Sequence, residues 1–298
     1  MAQKLGILVI HGMGSQGEGA SNNSSKRTYS ERLYNGLVSE IGARMMTELS
    51  WREVQFSHVL QPKQKGYLGR IRGLASSGRG RDFVLHRLSD AASYRQTAHR
   101  DDTTYEDIHA EVAKVTSELV RDIGGDGPIM VLAHSLGGHV LSNFIYDQQK
   151  LPRRRAPANF ATPLENMQTV TKFVTFGCNI PVFVMGYPAD NVTPIEDPRS
   201  ALPDALRQGP WWHNFYDRQD ILGYPLAQIG AKYGALVPDQ LRDQEINAGW
   251  GLGSLTWLSH NNYWRAVSLH RPLGRLIKNT LAALDAAAAA PGTDAPGA

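Results

Sequence analysis

Residues 129–145 read IMVLAHSLGGHVLSNFI, and the change of rhythm in the middle of that stretch decides the fold. Its first five residues form a short continuous apolar run, preceded by Gly124, Gly125, Gly127 and Pro128. That is the pattern of a strand buried on both faces of a parallel sheet. Leu136, Val140, Leu141, Phe144 and Ile145 then recur at helical spacing, which predicts a helix lying against the sheet. Ala133, His134, Ser135, Leu136, Gly137 and Gly138 span the junction. A strand-to-helix turn tight enough to present a nucleophile tolerates only very small side chains two positions before and two after its central residue. Ala133 and Gly137 meet both demands. Ser135 would then project over the sheet edge at a helix N-terminus, whose dipole and free N–H groups favour developing negative charge. The plainer alternative is a serine that merely caps the helix.

Outward from this junction the same alternation repeats. Leu5–Ile10 is a second continuous apolar run, closed by His11 and Gly12. Thr28 with Glu31 makes a capping box for a long helix on which Leu33, Leu37, Ile41 and Met45 share a face. A strand is expected over 51–57. A second capping box, Thr103 with Glu106, opens a helix carrying Ile108, Val112, Val115 and Leu119 on one side. Further strands are expected over 170–176 and 211–216, with a weaker one over 244–248 and a helical run over 263–271. Strands alternating with helices imply an α/β fold: a mostly parallel central sheet flanked by helices and joined by right-handed crossovers. One domain is expected over 1–285, followed by an Ala-, Pro- and Gly-rich tail (286–298) with too little apolar variety to pack.

The chain has 298 residues, 42% of them hydrophobic, enough to build a core without disulfide or metal staples. Its single cysteine, Cys178, excludes an internal disulfide framework and a multi-thiolate zinc site. A reducing, cytoplasmic location is expected. The run Leu5–Ile10 is too short for a secretory core, and no apolar stretch reaches the roughly 18 residues of a membrane span. With 31 Lys and Arg against 28 Asp and Glu, the chain is too near balance for a uniformly basic nucleic-acid binder. The positive excess is local. Residues 58–100 hold Lys63, Lys65, Arg70, Arg72, Arg79, Arg81, Arg87, Arg95 and Arg100 against Asp82 and Asp90 alone. Two weakly amphipathic stretches lie within it, over 68–74 and 84–92, so the segment reads as a basic, cap-like insertion.

Ile10, His11, Gly12, Met13 and Gly14 after the first strand, paired with Ala133 to Gly138 after a later one, resemble the α/β-hydrolase superfamily. The closest pattern is that of compact lipases and esterases that lack the first two strands of the fuller fold and open directly on the His-Gly strand. The resemblance covers residues 4–285 loosely and is specific only at these motifs. It implies that Ser135 is a nucleophile and that the backbone N–H groups of Met13 and Leu136 receive the oxyanion. It further implies that the acid and then the histidine follow the serine in the chain. Asp220, followed by Ile221 and Leu222, matches the family's Asp-x-Val arrangement better than Asp217, the runner-up acid. Two histidines come after Asp220. His260 sits in a polar break and precedes Tyr263 and Trp264, whereas His270 falls within the helical run, so His260 is the expected base. His11, Gly12 and His134 flank the two turns and are read as supports of the site.

Other motifs carry less. Gly12, Gly14 and Gly17 spell G-x-G-x-x-G, but they run into the polar stretch EGASNNSSKR rather than a helix, so no dinucleotide site is expected and 15–26 reads as a flexible loop shaping the site. His58, His86 and His99 lack metal-ligand spacing, and neither a metal nor a cofactor is expected. Cys178 is read as a small buried hydrophobe, and Trp211 and Trp212 as strand packing. The expected activity is ester hydrolysis by a Ser135, His260 and Asp220 triad, on a small-molecule or lipid ester. The alternative is a non-catalytic module of the same fold whose 58–100 insertion docks on an anionic membrane or an acidic partner.

Overall fold

The computed structural model describes residues 3–12, 26–60, 94, 103–150, 162–249 and 259–289. Six strands form one sheet: β1 (Leu5–Ile10), β2 (Leu49–Val54), β3 (Ile129–His134), β4 (Val170–Phe176), β5 (Trp212–Tyr216) and β6 (Leu241–Glu245). Their order is β2-β1-β3-β4-β5-β6, and every neighbouring pair is parallel. Successive side chains on a strand point to opposite faces, and helices cover both. On one face Leu8, Ile10 and Val131 pack with Ile108, Val112 and Leu119 of α2 (Thr104–Ile123) and Val140 and Phe144 of α3 (Leu136–Lys150). On the other, Leu5, Ile7 and Val9 pack with Leu33 and Leu37 of α1 (Glu31–Ile41) and Leu269, Leu273 and Ile277 of α4 (Val267–Ala289). The apolar runs at β1 and β3 are unbroken because neither strand has a solvent face.

The strand order also positions the site. From β1 the chain goes outward to β2 and then returns to place β3 on the other side of β1. The winding therefore reverses between β1 and β3, and in such sheets the crevice at the carboxyl ends of the reversing strands is the natural place for a ligand. His11 and Gly12 leave β1 there, and Ser135 leaves β3.

Several sequence-based expectations require correction. Neither capping box forms. Ahead of α1 the Thr28 and Ser30 amides and hydroxyls donate to the fully buried carboxylate of Glu53, at 2.5–3.1 Å. The helix starts at Glu31 with Ser30 at its N-cap, so Thr28 stands two residues too early to form the box. Thr103 does stand at the N-cap of α2, but its hydroxyl donates to Asp107 at 2.8 Å. The first long helix breaks at Gly42, whose φ of 86° lies in the left-handed region, so Met45 belongs to a separate turn, Ala43–Met46. β2 and β6 begin earlier than the patterns over 51–57 and 244–248 suggested. β6 is an edge strand reading LRDQE, in which only Leu241 is buried, so its alternation is weak. The closing helix starts at Val267, after a short turn at Tyr263–Arg265, and runs through Ala289 rather than giving way to a tail at 286. Of the 58–100 insertion, residues 58–60 and Tyr94 are described, and Tyr94 is buried against α2 and α3. The insertion's amphipathic stretches, the loop over 15–25 and residues 290–298 lie outside the described residues. Among the described residues no helix is long and apolar enough to cross a membrane.

Candidate active site

Ser135 has a φ of 55°, a left-handed conformation that a residue with a Cβ adopts only when its surroundings enforce it. The enforcement is visible. Ser135 donates its N–H to the Phe176 carbonyl at 3.1 Å, tying the turn to the end of β4. A Cβ at Gly137 would stand 2.7 Å from the His11 carbonyl oxygen, and one at Gly12 would stand 2.4 Å from the Ser135 Cβ. The chain leaving β1 therefore passes directly against the turn, and both glycines are needed for that approach. Gly138 lies close to the buried Cys178, where a Cβ would be 2.9 Å from Sγ. Burial pushes the Cys178 thiol up to about 12, and it takes the packing role expected of it.

Ser135, His260 and Asp220 meet although 125 and 40 residues separate the hydrogen-bonded pairs. Ser135 Oγ lies 2.8 Å from His260 Nε2, and His260 Nδ1 lies 2.8 and 2.9 Å from the two carboxylate oxygens of Asp220. A carboxylate only accepts. His260 therefore carries its proton on Nδ1, which makes Nε2 the acceptor facing the Ser135 hydroxyl. Burial works to raise the pKa of Asp220, but the bonds and charge of His260, the Leu222 N–H at 2.9 Å and the nearby Tyr263 hydroxyl together hold it below the usual carboxylate value. The carboxylate is packed between two glycines. A Cβ at Gly223 would stand 2.4 Å from Asp220 Oδ2, and one at Gly177 would stand 3.2 Å away.

The two competing assignments have other partners. Asp217 accepts the Ala248 N–H at 2.7 Å and the Gln219 N–H at 2.8 Å. It braces the turn after β5, while its neighbour Asp220 reaches His260. His270 sits in α4, where Nε2 donates to the Trp264 carbonyl at 3.1 Å. Of the supporting residues, His11 stacks on Phe56 with ring centroids 4.8 Å apart and meets the Tyr29 ring edge-on at 4.5 Å. His134 donates from Nε2 to the His260 carbonyl at 2.8 Å, fixing the main chain of the residue beside it. Leu136 opens α3, so its amide is among the first-turn donors that an α-helix leaves without an internal partner. Met13 lies outside the described residues.

Sequence reasoning missed the parts that Gly177 and Gly223 play, and used Tyr263 only as a marker of His260 without seeing its bonds. Tyr263 accepts the Asp217 N–H at 2.8 Å while lying beside Asp220, so it links the two aspartates of one turn. Its position three residues after His260 was the available signal. Trp211 and Trp212 are fully buried, as read from the sequence. Among the described residues no group of three His, Cys, Asp or Glu side chains is placed to hold a metal ion. Comparison with models of known protein families and with curated proteins finds no match to this chain.

Proposed function

We propose that this protein is a serine hydrolase of the α/β-hydrolase type that cleaves carboxylic esters through an acyl-enzyme intermediate. One observation carries the reading: a buried hydrogen-bond chain runs from Ser135 Oγ through both nitrogens of His260 to Asp220, with the serine held at a left-handed turn between strand and helix. Structural serines at helix starts need neither the strained φ nor a histidine of the correct tautomer.

The chemistry follows from the geometry. Ser135 Oγ attacks the ester carbonyl carbon as its proton passes to His260 Nε2. The Nδ1–H bond to Asp220 stabilises the imidazolium, and the carboxylate stays ionised throughout. The carbonyl oxygen becomes an oxyanion, which the backbone amides of Leu136 and Met13 would receive. One such preorganised donor is worth about 3 to 4 kcal/mol in comparable sites. Collapse expels the alcohol, which takes the proton from Nε2. A water molecule then repeats the sequence on the acyl-serine and releases the acid. We place the substrate among small-molecule or lipid esters and the enzyme in the cytoplasm, in keeping with its lone buried thiol.

A panel of p-nitrophenyl esters graded by acyl length tests this reading. Turnover of at least one ester that Ser135→Ala abolishes is expected. Turnover that survives Ser135→Ala unchanged, or none across the panel, would contradict it.

A further inference from the structure

β4 carries a lysine where its surroundings favour an apolar residue. The strand reads VTKFVTF, lies fourth of six in the sheet and buries residues on both faces. Lysine seldom occupies such a position unless its charge is answered. On β5, His213 pairs with Val174, two residues along from Lys172. Side chains two apart share a face, so Lys172 and His213 stand together under α4. Two polar residues thus interrupt a surface that is otherwise core.

Between them and the helix lies a cavity of about 260 Å³, to which Leu206, Leu276, Asn279 and Thr280 also contribute. Lys172 Nζ donates to the carbonyls of Gln208 at 2.9 Å and Pro210 at 2.7 Å, and His213 Nε2 donates to the same Pro210 carbonyl at 3.1 Å. An ammonium has three donors. Among the described residues no carboxylate lies within ion-pair distance of Lys172; the nearby Asp197, whose charge acts on it, is bonded to Arg199 at 2.7 Å. Burial and the positive charge of Arg199, opposed by the charge of Asp197, lower the Lys172 amine to about 8. Burial and the neighbouring Lys172 lower His213 to about 4, so His213 is neutral near pH 7. The cavity therefore has one cation with no carboxylate bonded to it, an amide donor on the helix and aliphatic walls.

We propose that this cavity binds a small monocarboxylate with an aliphatic tail, its carboxylate on Lys172 and its tail against Leu206 and Leu276. A single negative charge answers a single ammonium, whereas a phosphate would call for more donors than the walls supply. The volume falls just under the roughly 300 to 1,000 Å³ of sites for drug-sized ligands, which suits a chain of a few carbons. The site lies at the amino ends of β4 and β5, the opposite edge of the sheet from Ser135, and does not depend on the hydrolase reading.

Titration calorimetry with hexanoate and hexanamide tests the proposal, on the full chain and on Lys172→Met. Hexanoate should bind saturably, with hexanamide at least about tenfold weaker and Lys172→Met at least about tenfold weaker for hexanoate, the loss of one charge-assisted hydrogen bond. In spectra of 13C-lysine-labelled protein, hexanoate should raise the pH at which the Lys172 side chain titrates. No saturable binding of hexanoate, equal binding of hexanoate and hexanamide, or binding unchanged in Lys172→Met would each overturn it. The first two comparisons use the unaltered protein and hold even if the variant fails to fold.

Discussion

Gly12 passes so close to Ser135 that a methyl group on it would stand 2.4 Å from the serine Cβ and 2.8 Å from Oγ. Two chain segments more than 120 residues apart in sequence are thereby locked at the point where the sheet reverses direction. The contact is backbone against a strained turn, so neither side can give cheaply. Gly12→Ala should destabilise the protein by about 1 to 3 kcal/mol, the usual cost of overpacking, and should displace the Ser135 hydroxyl from His260. Denaturant unfolding reads the first effect, and the rate of ester hydrolysis by the folded fraction reads the second.

Asp217 and Asp220 are separated by two residues and hold different partners, so the same substitution should have different effects. Asp220→Asn replaces an acceptor-only carboxylate by an amide that can also donate, so the His260 tautomer is no longer fixed. Its kcat should fall on the order of 10⁴-fold with little change in folding, as in other triads. Asp217→Asn loosens two backbone amides instead, and should cost about 1 to 2 kcal/mol of stability while leaving most of the activity. A reversal of this pattern would move the acid role to Asp217.

How far the sequence reading reached depended on how each feature announces itself. β1, β3 and the turn at Ser135 were legible because a strand buried on both faces has no polar alternation and a tight turn admits only small residues. Asp220 and His260 were picked out through the family resemblance, and what the structure adds is that their side chains are hydrogen-bonded to each other. The bracing role of Asp217 was hidden because it depends on where Ala248 falls in space. Gly177 and Gly223 were invisible for the same reason: nothing local marks a glycine that makes room for a distant carboxylate. The failed cap ahead of α1 shares this cause, since Thr28 and Ser30 answer to Glu53, which belongs to another element; at α2 the competitor is local, Asp107 in the first turn.

Stability should fall as the solution is acidified from about pH 6.5. Burial lowers His109 to about 3, with His139 adding to the effect, and lowers His139 to about 4. Both rings remain neutral in the fold at pH values where the unfolded chain already binds a proton near its ordinary 6.5, and folding weakens wherever the unfolded state binds more protons. His109 faces Asp147, 3.5 Å away, and the Tyr94 hydroxyl at 2.7 Å, while His139 stacks on Phe183 with ring centroids 4.4 Å apart. Below the ordinary carboxylate value of 3.8 the depressed Asp220 adds a second loss, because its contribution is present above that pH and disappears as pH falls through its folded pKa. Melting temperature recorded from pH 8 to pH 4 should decline below 6.5. The decline should be shallower in His139→Phe, which keeps the ring stack and removes one titrating group.

Cys178 should be inert in the native protein. Its thiol is fully buried and pushed up to about 12, so almost none is thiolate near neutral pH. A chromogenic disulfide reagent should react with one thiol per chain in denaturant and with none in buffer. Alkylation of native Cys178 at the rate of a free thiol would show that the packing against Gly138 is wrong.

Covalent capture of the nucleophile tests the central claim most directly. Native protein treated with a fluorophosphonate should gain a single adduct, located on Ser135 by peptide mass spectrometry, lost in Ser135→Ala and strongly slowed in His260→Ala. Absence of any adduct on the folded chain, or an adduct that persists undiminished in Ser135→Ala, would contradict the assignment of Ser135, His260 and Asp220 as a catalytic triad.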